Sequence, residues 1–274
     1  MSFIVIIIAL LLERFAPFFN RLKHYQWVGA YLAMITKRLG GGSSLRVIAV
    51  VLPLIIATWL IHVILSGMMY GLLAWLFDLA VVLYCLGDSQ LKQHVGHYLN
   101  LLGEDKKEAT AFFTKHFSGE EPESPTFKSM LTLVLGESHR RVFALIFWYL
   151  ILGVVGAALY RIVSLLVSFE MAAGEKECKA PCFLSLLDWI PERLTAFCFC
   201  LVGHFTVVFP AWCKHASSGL KRSYDVMSHC AFVALGWEDK ADDLASREQL
   251  EPSFGLVDRS LVVWLVVVAL LFLF

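Results

Sequence analysis

Charge is scarce in this chain. Only 17% of its 274 residues are Asp, Glu, Lys or Arg, and the 23 basic and 23 acidic side chains cancel. A soluble domain is about a quarter charged, and a nucleic-acid surface needs a basic excess; the sequence has neither. No HExxH, Walker sequence, kinase signature or nucleophile elbow occurs, so no familiar catalytic machine is written into it. The seven cysteines, Cys85, Cys178, Cys182, Cys198, Cys200, Cys213 and Cys230, are odd in number and include no CxxC pair. That excludes a disulfide framework and a zinc finger. They read as ordinary buried thiols, and Cys198 and Cys200, two apart on a helix, point to different faces. Cys178 and Cys182 are the exception: they share a polar connection and are close enough to bridge if it faces an oxidising compartment.

What the chain has instead is apolar surface in runs. Hydrophobic residues make up 58% of it and the mean hydropathy is +0.70. Several of the eight Trp stand near the ends of the runs, as interfacial anchors do. The pattern predicts an all-α, polytopic membrane bundle, a single membrane domain over residues 1–274, with amphipathic helices in its connections. Candidate spans are 2–19, 47–65, 68–86, 142–168, 194–212 and 260–274. The first lacks the basic start and small-residue cleavage site of a signal peptide, so it reads as an uncleaved helix. Spans 47–65 and 68–86, joined by Ser66-Gly67, read as an antiparallel hairpin. Span 142–168 is interrupted by Gly153, Gly156 and Arg161, and is either one tilted helix or two re-entrant halves.

The polar connections are 20–46, 87–141 and 214–259. Gly40-Gly41-Gly42-Ser43-Ser44 lacks the lysine and the strand of a phosphate loop and reads as a flexible link. In 87–141, Leu91, Val95, Tyr98, Leu99 and Leu102 recur at helical spacing and Phe112, Phe113 and Phe117 form a second stripe. Residues 120–125 read as a loop between them. Counted from position 13, these three connections hold 19 of the 23 Lys and Arg. The positive-inside rule therefore puts them in the cytoplasm and the 170–193 connection outside.

Few polar residues fall where chemistry would need them. Asp188-Trp189-Ile190-Pro191-Glu192-Arg193-Leu194 stands before the fifth span. Pro191 suits a first helical turn and Glu192 an N-terminus, while an acid and an arginine at a membrane mouth also fit a metal or a phosphate. His204, His62 and Asp78 are ionisable groups at membrane depth, which marks candidates by default; a hydrogen bond to a neighbouring helix explains each as well. Glu13 and Arg161 read as a mutual pair, or, with Asp188 and Arg193, as one polar cluster able to hold an anion. His94 and His97 share a helix face with no third ligand nearby. The binding candidates are thus Glu13, Arg161, Asp188, Arg193 and His204. No catalytic residue, metal site or cofactor is identified.

Four stretches in order resemble the AmpE family, inner-membrane proteins associated with β-lactamase induction in Gram-negative bacteria. They are Phe3-Ile4-Val5-Ile6-Ile7-Ile8-Ala9-Leu10-Leu11-Leu12-Glu13-Arg14; Phe143-Ala144-Leu145-Ile146-Phe147-Trp148-Tyr149-Leu150 with 153–161; the Asp188 stretch; and Leu201-Val202-Gly203-His204 with Pro210-Ala211-Trp212. The likeness runs end to end. AmpE is in turn similar to the CobD/CbiB proteins, which join an aminopropanol unit to the cobyric acid side chain in cobalamin synthesis. Shared features are the Phe-Trp segment ending in Gly-x-x-Gly and Tyr-Arg (147–161) and Asp-x-x-Pro-x-Arg-Leu. Glu192 replaces the small residue usual in the enzymes, and their N-terminal Gly-Asp-Pro and His-Pro are missing. The resemblance implies a multi-pass protein of the bacterial inner membrane that signals in peptidoglycan recycling and β-lactam response. Its implied partners are the lipid bilayer, a small anionic or nucleotide ligand and a protein of cell-wall recycling, with no nucleic acid. The alternative it implies is a CobD-like enzyme or a nucleotide- or phosphate-binding membrane protein.

Overall fold

The structure is a computed structural model that describes residues 2–15, 28–31, 34–35, 44–67, 71–86, 90–117, 126–172, 180–216, 223–237 and 247–273. Residues 16–19, 40–43, 68–70, 120–125 and Cys178, which carry parts of the expectations above, lie outside the described residues. Among those described there is no β-strand. The helices are α1 (Ser2–Phe15), α2 (Ser44–Ser66), α3 (Leu72–Cys85), α4 (Leu91–Glu104), α5 (Lys106–His116) and α6 (Phe127–Ser138). A π-helical turn (His139–Phe143) then leads into α7 (Ala144–Ala172), followed by α8 (Ala180–Val202), α9 (Phe205–Ala216), α10 (Ser223–Leu235) and α11 (Arg247–Leu273).

The chain forms two compact units. One holds Met1–Ser89 and Ala144–Leu187, the other Gln90–Phe143 and Asp188–Phe274. In the first, α2 has 23 residues and so rises about 34 Å, enough for a hydrocarbon core of about 30 Å. Ile48, Leu52, Ile56, Trp59, Ile61 and Ile64 are exposed around it, a surface that lipid solvates and water does not. Among the described residues, three helices are long and apolar enough to cross a membrane: Arg46–Ser66, Leu250–Leu270 and one within Phe127–Glu170. Leu72–Cys85 and Val226–Leu235 are apolar but shorter. Across the α2/α3 hairpin the two ionisable groups singled out from sequence meet, with His62 Nδ1 and Asp78 Oδ1 2.9 Å apart. Arg46 and Glu170, both buried, pair at 3.6 Å between α2 and α7.

Helix α7 is interrupted where its glycines predicted. Gly153 has φ 64° and ψ −151°, a conformation open in practice only to glycine. The chain bends there so sharply that a Cβ on Gly156 would lie 2.2 Å from the Trp148 carbonyl oxygen.

The second unit is built on the stripes read from 87–141. Leu91, Val95 and Tyr98 of α4 and Phe113 and Phe117 at the end of α5 are buried, and Leu99, Leu102 and Phe112 pack against them. Asp105 caps α5 by accepting from the Lys107 amide, and Thr126 caps α6 by accepting from the Ser129 amide. The same core takes Val226, Met227, Cys230 and Phe232 of α10 with Leu250 and Leu256 of α11. The stretch 214–259, expected as a polar connection, therefore contributes apolar core. Helix α11 starts thirteen residues before the expected span at 260.

The expected span 194–212 is not one helix. Helix α8 stops at Val202 and α9 begins at Phe205, with the His204 carbonyl accepting from the amides of Val207 and Val208. Arg193 Nε donates to the Ala216 carbonyl at 2.6 Å, and Trp212 Nε1 donates to the Arg193 carbonyl at 3.0 Å. A continuous helix would hold residues 193 and 216 about 35 Å apart. Residues 194–216 are thus a helical hairpin with Gly203-His204 at its tip. The two-residue break is too short to show in a hydropathy window. Cys182 is an exposed thiol, Cys85, Cys198, Cys200 and Cys230 are buried ones, and none of these five is in a disulfide.

Gly156→Ala is expected to cost about 1–3 kcal/mol by overpacking. Gly103→Ala, on a helix with nothing within 4 Å of the new methyl, should be neutral or stabilise by up to about 1 kcal/mol. Thermal unfolding of the two variants in detergent decides; equal midpoints would contradict the close approach at Gly156.

Candidate functional site

The sequence places a proline inside a helix at Pro191. It has no amide to give the carbonyl four residues back, so the Leu187 carbonyl loses its helical partner. Trp148 replaces it, its indole Nε1 donating to Leu187 O at 3.1 Å. One residue on, Asp188 turns inward. Helix α8 begins at Ala180, so Ser185, Asp188, Glu192 and Arg193, which read as a polar connection, are polar positions on a packed helix. Asp188, Glu192 and Arg193 are buried.

Asp188 faces His139 from the π-helical turn. Such turns accommodate one residue more than an α-helix and recur at functional sites. Asp188 Oδ1 lies 3.6 Å from His139 Nε2, and the side chains are 1% and 0% exposed. That separation is an electrostatic pairing, longer than a good hydrogen bond. On the other edge of the ring, Thr195 Oγ1 lies 3.5 Å from Nδ1 while donating to the Pro191 carbonyl at 2.8 Å. Acid, imidazole and hydroxyl are thus in line in a water-excluded core, where electrostatic attraction is strong and a missing partner is costly.

A second pair braces the turn. Arg141 donates to Glu137 Oε2, four residues back, at 2.7 Å through Nη2 and 2.8 Å through Nε, and Nη2 also donates to the His116 carbonyl at 2.7 Å. The cation therefore caps the C-terminal end of α5, where the helix dipole favours it.

Arg193, five residues beyond Asp188, points elsewhere. Besides Ala216 O it donates through Nη1 to the Trp189 carbonyl at 2.8 Å and lies 4.2 Å over the Trp189 ring. Burial disfavours its charged form, and the Glu192 carboxylate opposes that. Its geometry is that of a clamp on the α8/α9 hairpin. Burial also pushes the Cys230 thiol up to about 12, with Cys200 and Glu192 adding to the effect, so it stays protonated and inert at neutral pH.

Of the sequence candidates, Asp188, Arg193 and His204 belong to this unit and Glu13 and Arg161 to the other. Glu13 is buried, Arg161 partly so, and His204 is exposed at the hairpin tip. The helix pair His94/His97 gains His116, whose ring is 4.6 Å from that of His94. Among the described residues no three His, Cys, Asp or Glu side chains gather closely enough for a metal ion. The sequence reading missed His139, Thr195, Glu137 and Arg141; its available signal was the polar run 137–141 abutting an apolar one. The pairing of His139 with Asp188 brings together two stretches, 87–141 and 170–193, that the sequence reading placed in different connections.

The comparisons agree with the end-to-end likeness. A family model described as "Regulatory signalling modulator protein AmpE" matches residues 1–274. The chain belongs to the AmpE family. This AmpE-family chain is 22% identical over 272 residues to "Protein AmpE" of Shigella flexneri, covering 94% of the chain and 89% of the relative. It is 26% identical over 251 residues to "Cobalamin biosynthesis protein CobD" of Chromobacterium violaceum, covering 83% and 78%. A CobD of Stutzerimonas stutzeri is 25% identical over 170 residues, covering 59% and 54%. No solved structure matches. AmpE membership and the apolar helices together make this a membrane protein of a regulatory kind.

Trp148→Phe is expected to strand the Leu187 carbonyl and lower stability by about 1–3 kcal/mol. In a Pro191→Ala background the backbone amide is restored, and the same change should cost much less. A double-mutant cycle on unfolding midpoints measures the coupling; strict additivity would show that the indole does not replace the proline's missing bond.

Proposed function

We propose that this chain is a signalling protein of the bacterial inner membrane, acting in β-lactamase induction and peptidoglycan recycling, with the His139–Asp188–Thr195 centre as the element that sets its state. The observation that carries the reading is the closure of that centre. An acid and an imidazole at 1% and 0% exposure are poorly placed to meet a substrate and well placed to hold two helices in one arrangement. Breaking a buried pair by removing one partner is costly, so the two arrangements of a switch can differ through this contact alone. The Glu137–Arg141 brace extends it to the end of α5, giving the centre a mechanical link to the polar helices.

A second reading has specific support in the likeness to CobD over most of the chain and in the Asp188–Arg193 stretch. It makes the protein a nucleotide- or phosphate-binding membrane protein, with Asp188, Arg193 and His204 as contacts. The clamp geometry of Arg193, committed to two carbonyls, favours the first reading.

In a strain lacking the gene, complementation with His139→Ala or Asp188→Asn is expected to lose β-lactam-dependent β-lactamase production while membrane abundance stays at the wild-type level. Arg193→Ala should lower abundance instead, because it opens the hairpin. Full induction by both centre variants at wild-type abundance would refute the proposal. Saturable, Asp188-dependent binding of ATP or inorganic phosphate to the purified protein would favour the second reading.

A further inference from the structure

We infer that the α8/α9 hairpin is an interfacial membrane element: its exposed face lies in the lipid at the membrane surface, on the side where residues 87–141 and 214–259 also lie. This goes beyond the signalling reading and does not depend on it.

The closure of the hairpin sets the topology. With Arg193 held to Ala216 and Trp212 held to Arg193, the chain leaves the hairpin where it entered. Its arms beyond the closure, Leu194 to Val202 and Phe205 to Ala216, rise about 14 and 18 Å, roughly half of a hydrocarbon core. Helix α8 as a whole has the length of α2, but Asp188, Glu192 and Arg193 midway along it keep it out of the helices apolar enough to cross. The large apolar residues it exposes are Ile190, Leu194, Leu201, Phe205 and Val207, the last 57% exposed. Contiguous apolar surface of this kind marks a membrane or a protein contact.

The chemistry of the surroundings selects lipid. Within the same unit the exposed positions of α4 and α5 include Lys92, Gln93, His97, Asn100, Lys106, Lys107 and Glu108, a face made for water. The unit is therefore polar on one surface and apolar on the hairpin. At the closed end of the hairpin stand Trp189, Trp212, the exposed Lys214 and the half-buried His215, the last two in the final turn of α9. Indoles and cations bordering an apolar face are the signature of a segment lying in the headgroup region. His204 and Thr206, exposed at the tip, sit at headgroup level in that orientation. Asp188 is tied to His139 and Ala216 to Arg193, so Asp188 falls on the side of the basic connections, which the positive-inside rule makes the cytoplasm.

The test uses the full chain in liposomes of mixed zwitterionic and anionic phospholipid, with Cys178, Cys182 and Cys213 replaced by Ser. Single cysteines are introduced as Leu201→Cys, Val207→Cys, Lys214→Cys or Gln93→Cys and spin-labelled. Leu201→Cys and Val207→Cys are expected to collide more with oxygen than with a water-soluble nickel chelate, and Gln93→Cys the reverse. In right-side-out and inverted vesicles, an impermeant maleimide should reach Lys214→Cys and Gln93→Cys from the same face. The inference is overturned if Val207→Cys meets the chelate as freely as Gln93→Cys, if Lys214→Cys labels from the opposite face, or if Val207→Cys is shielded only when disulfide-linked dimers form. Should Leu201→Cys fail to fold, Val207→Cys alone decides.

Discussion

A carboxylate and an imidazole cannot share a dry core unless everything around them is arranged for it. Burying polar groups such as the Asp188 carboxyl and the His139 imidazole is costly unless each keeps a partner, and their 3.6 Å contact offsets that cost only if neither is displaced. The π-helical turn carries His139 at the required angle. The Glu137–Arg141 brace holds that turn, Thr195 closes the far edge of the ring, and the Arg193 clamp keeps the following hairpin shut. The remaining packing of this unit, from Tyr98 and Phe113 to Phe199 and Leu256, excludes the water that would weaken the pair.

Much of this architecture is legible from residue order. The length and uniform apolarity of 47–65 give α2, and the Leu91/Val95/Tyr98 spacing gives the buried face of α4. Gly153 and Gly156 mark the bend in α7 because glycine alone fits those backbone positions. The Asp188 stretch stands out as a cluster. What is not legible follows from how hydropathy works. Averaged along the chain, 194–212 looks like a span, since Gly203-His204 contributes only two residues to a window; its return path is written in side-chain contacts to Arg193. The polar residues of 185–193 suggest a connection because composition says nothing about which side of a helix is covered. His139 looked like part of a solvated run for the same reason. The direction of Arg193, away from Asp188, is a matter of helical phase set by packing.

Membership of the AmpE family and similarity to CobD proteins bring together a regulatory relative and a biosynthetic one at comparable, low identity. The geometry bears on that duality. The acid is sealed against a histidine, and the arginine is engaged with two backbone carbonyls and an indole. In this chain the polar side chains of that stretch act as fasteners between helices.

The indole of Trp148 and the ring of Pro191 have a bearing on inheritance. One side chain exists to answer a vacancy that the other creates, although the positions are far apart in the chain and on different helices. Loss of the proline would leave the tryptophan without its partner, and loss of the tryptophan first would leave an unanswered carbonyl in an apolar setting. The two changes are therefore unequal in order: proline replaced first leaves the Leu187 carbonyl answered, and tryptophan replaced first does not.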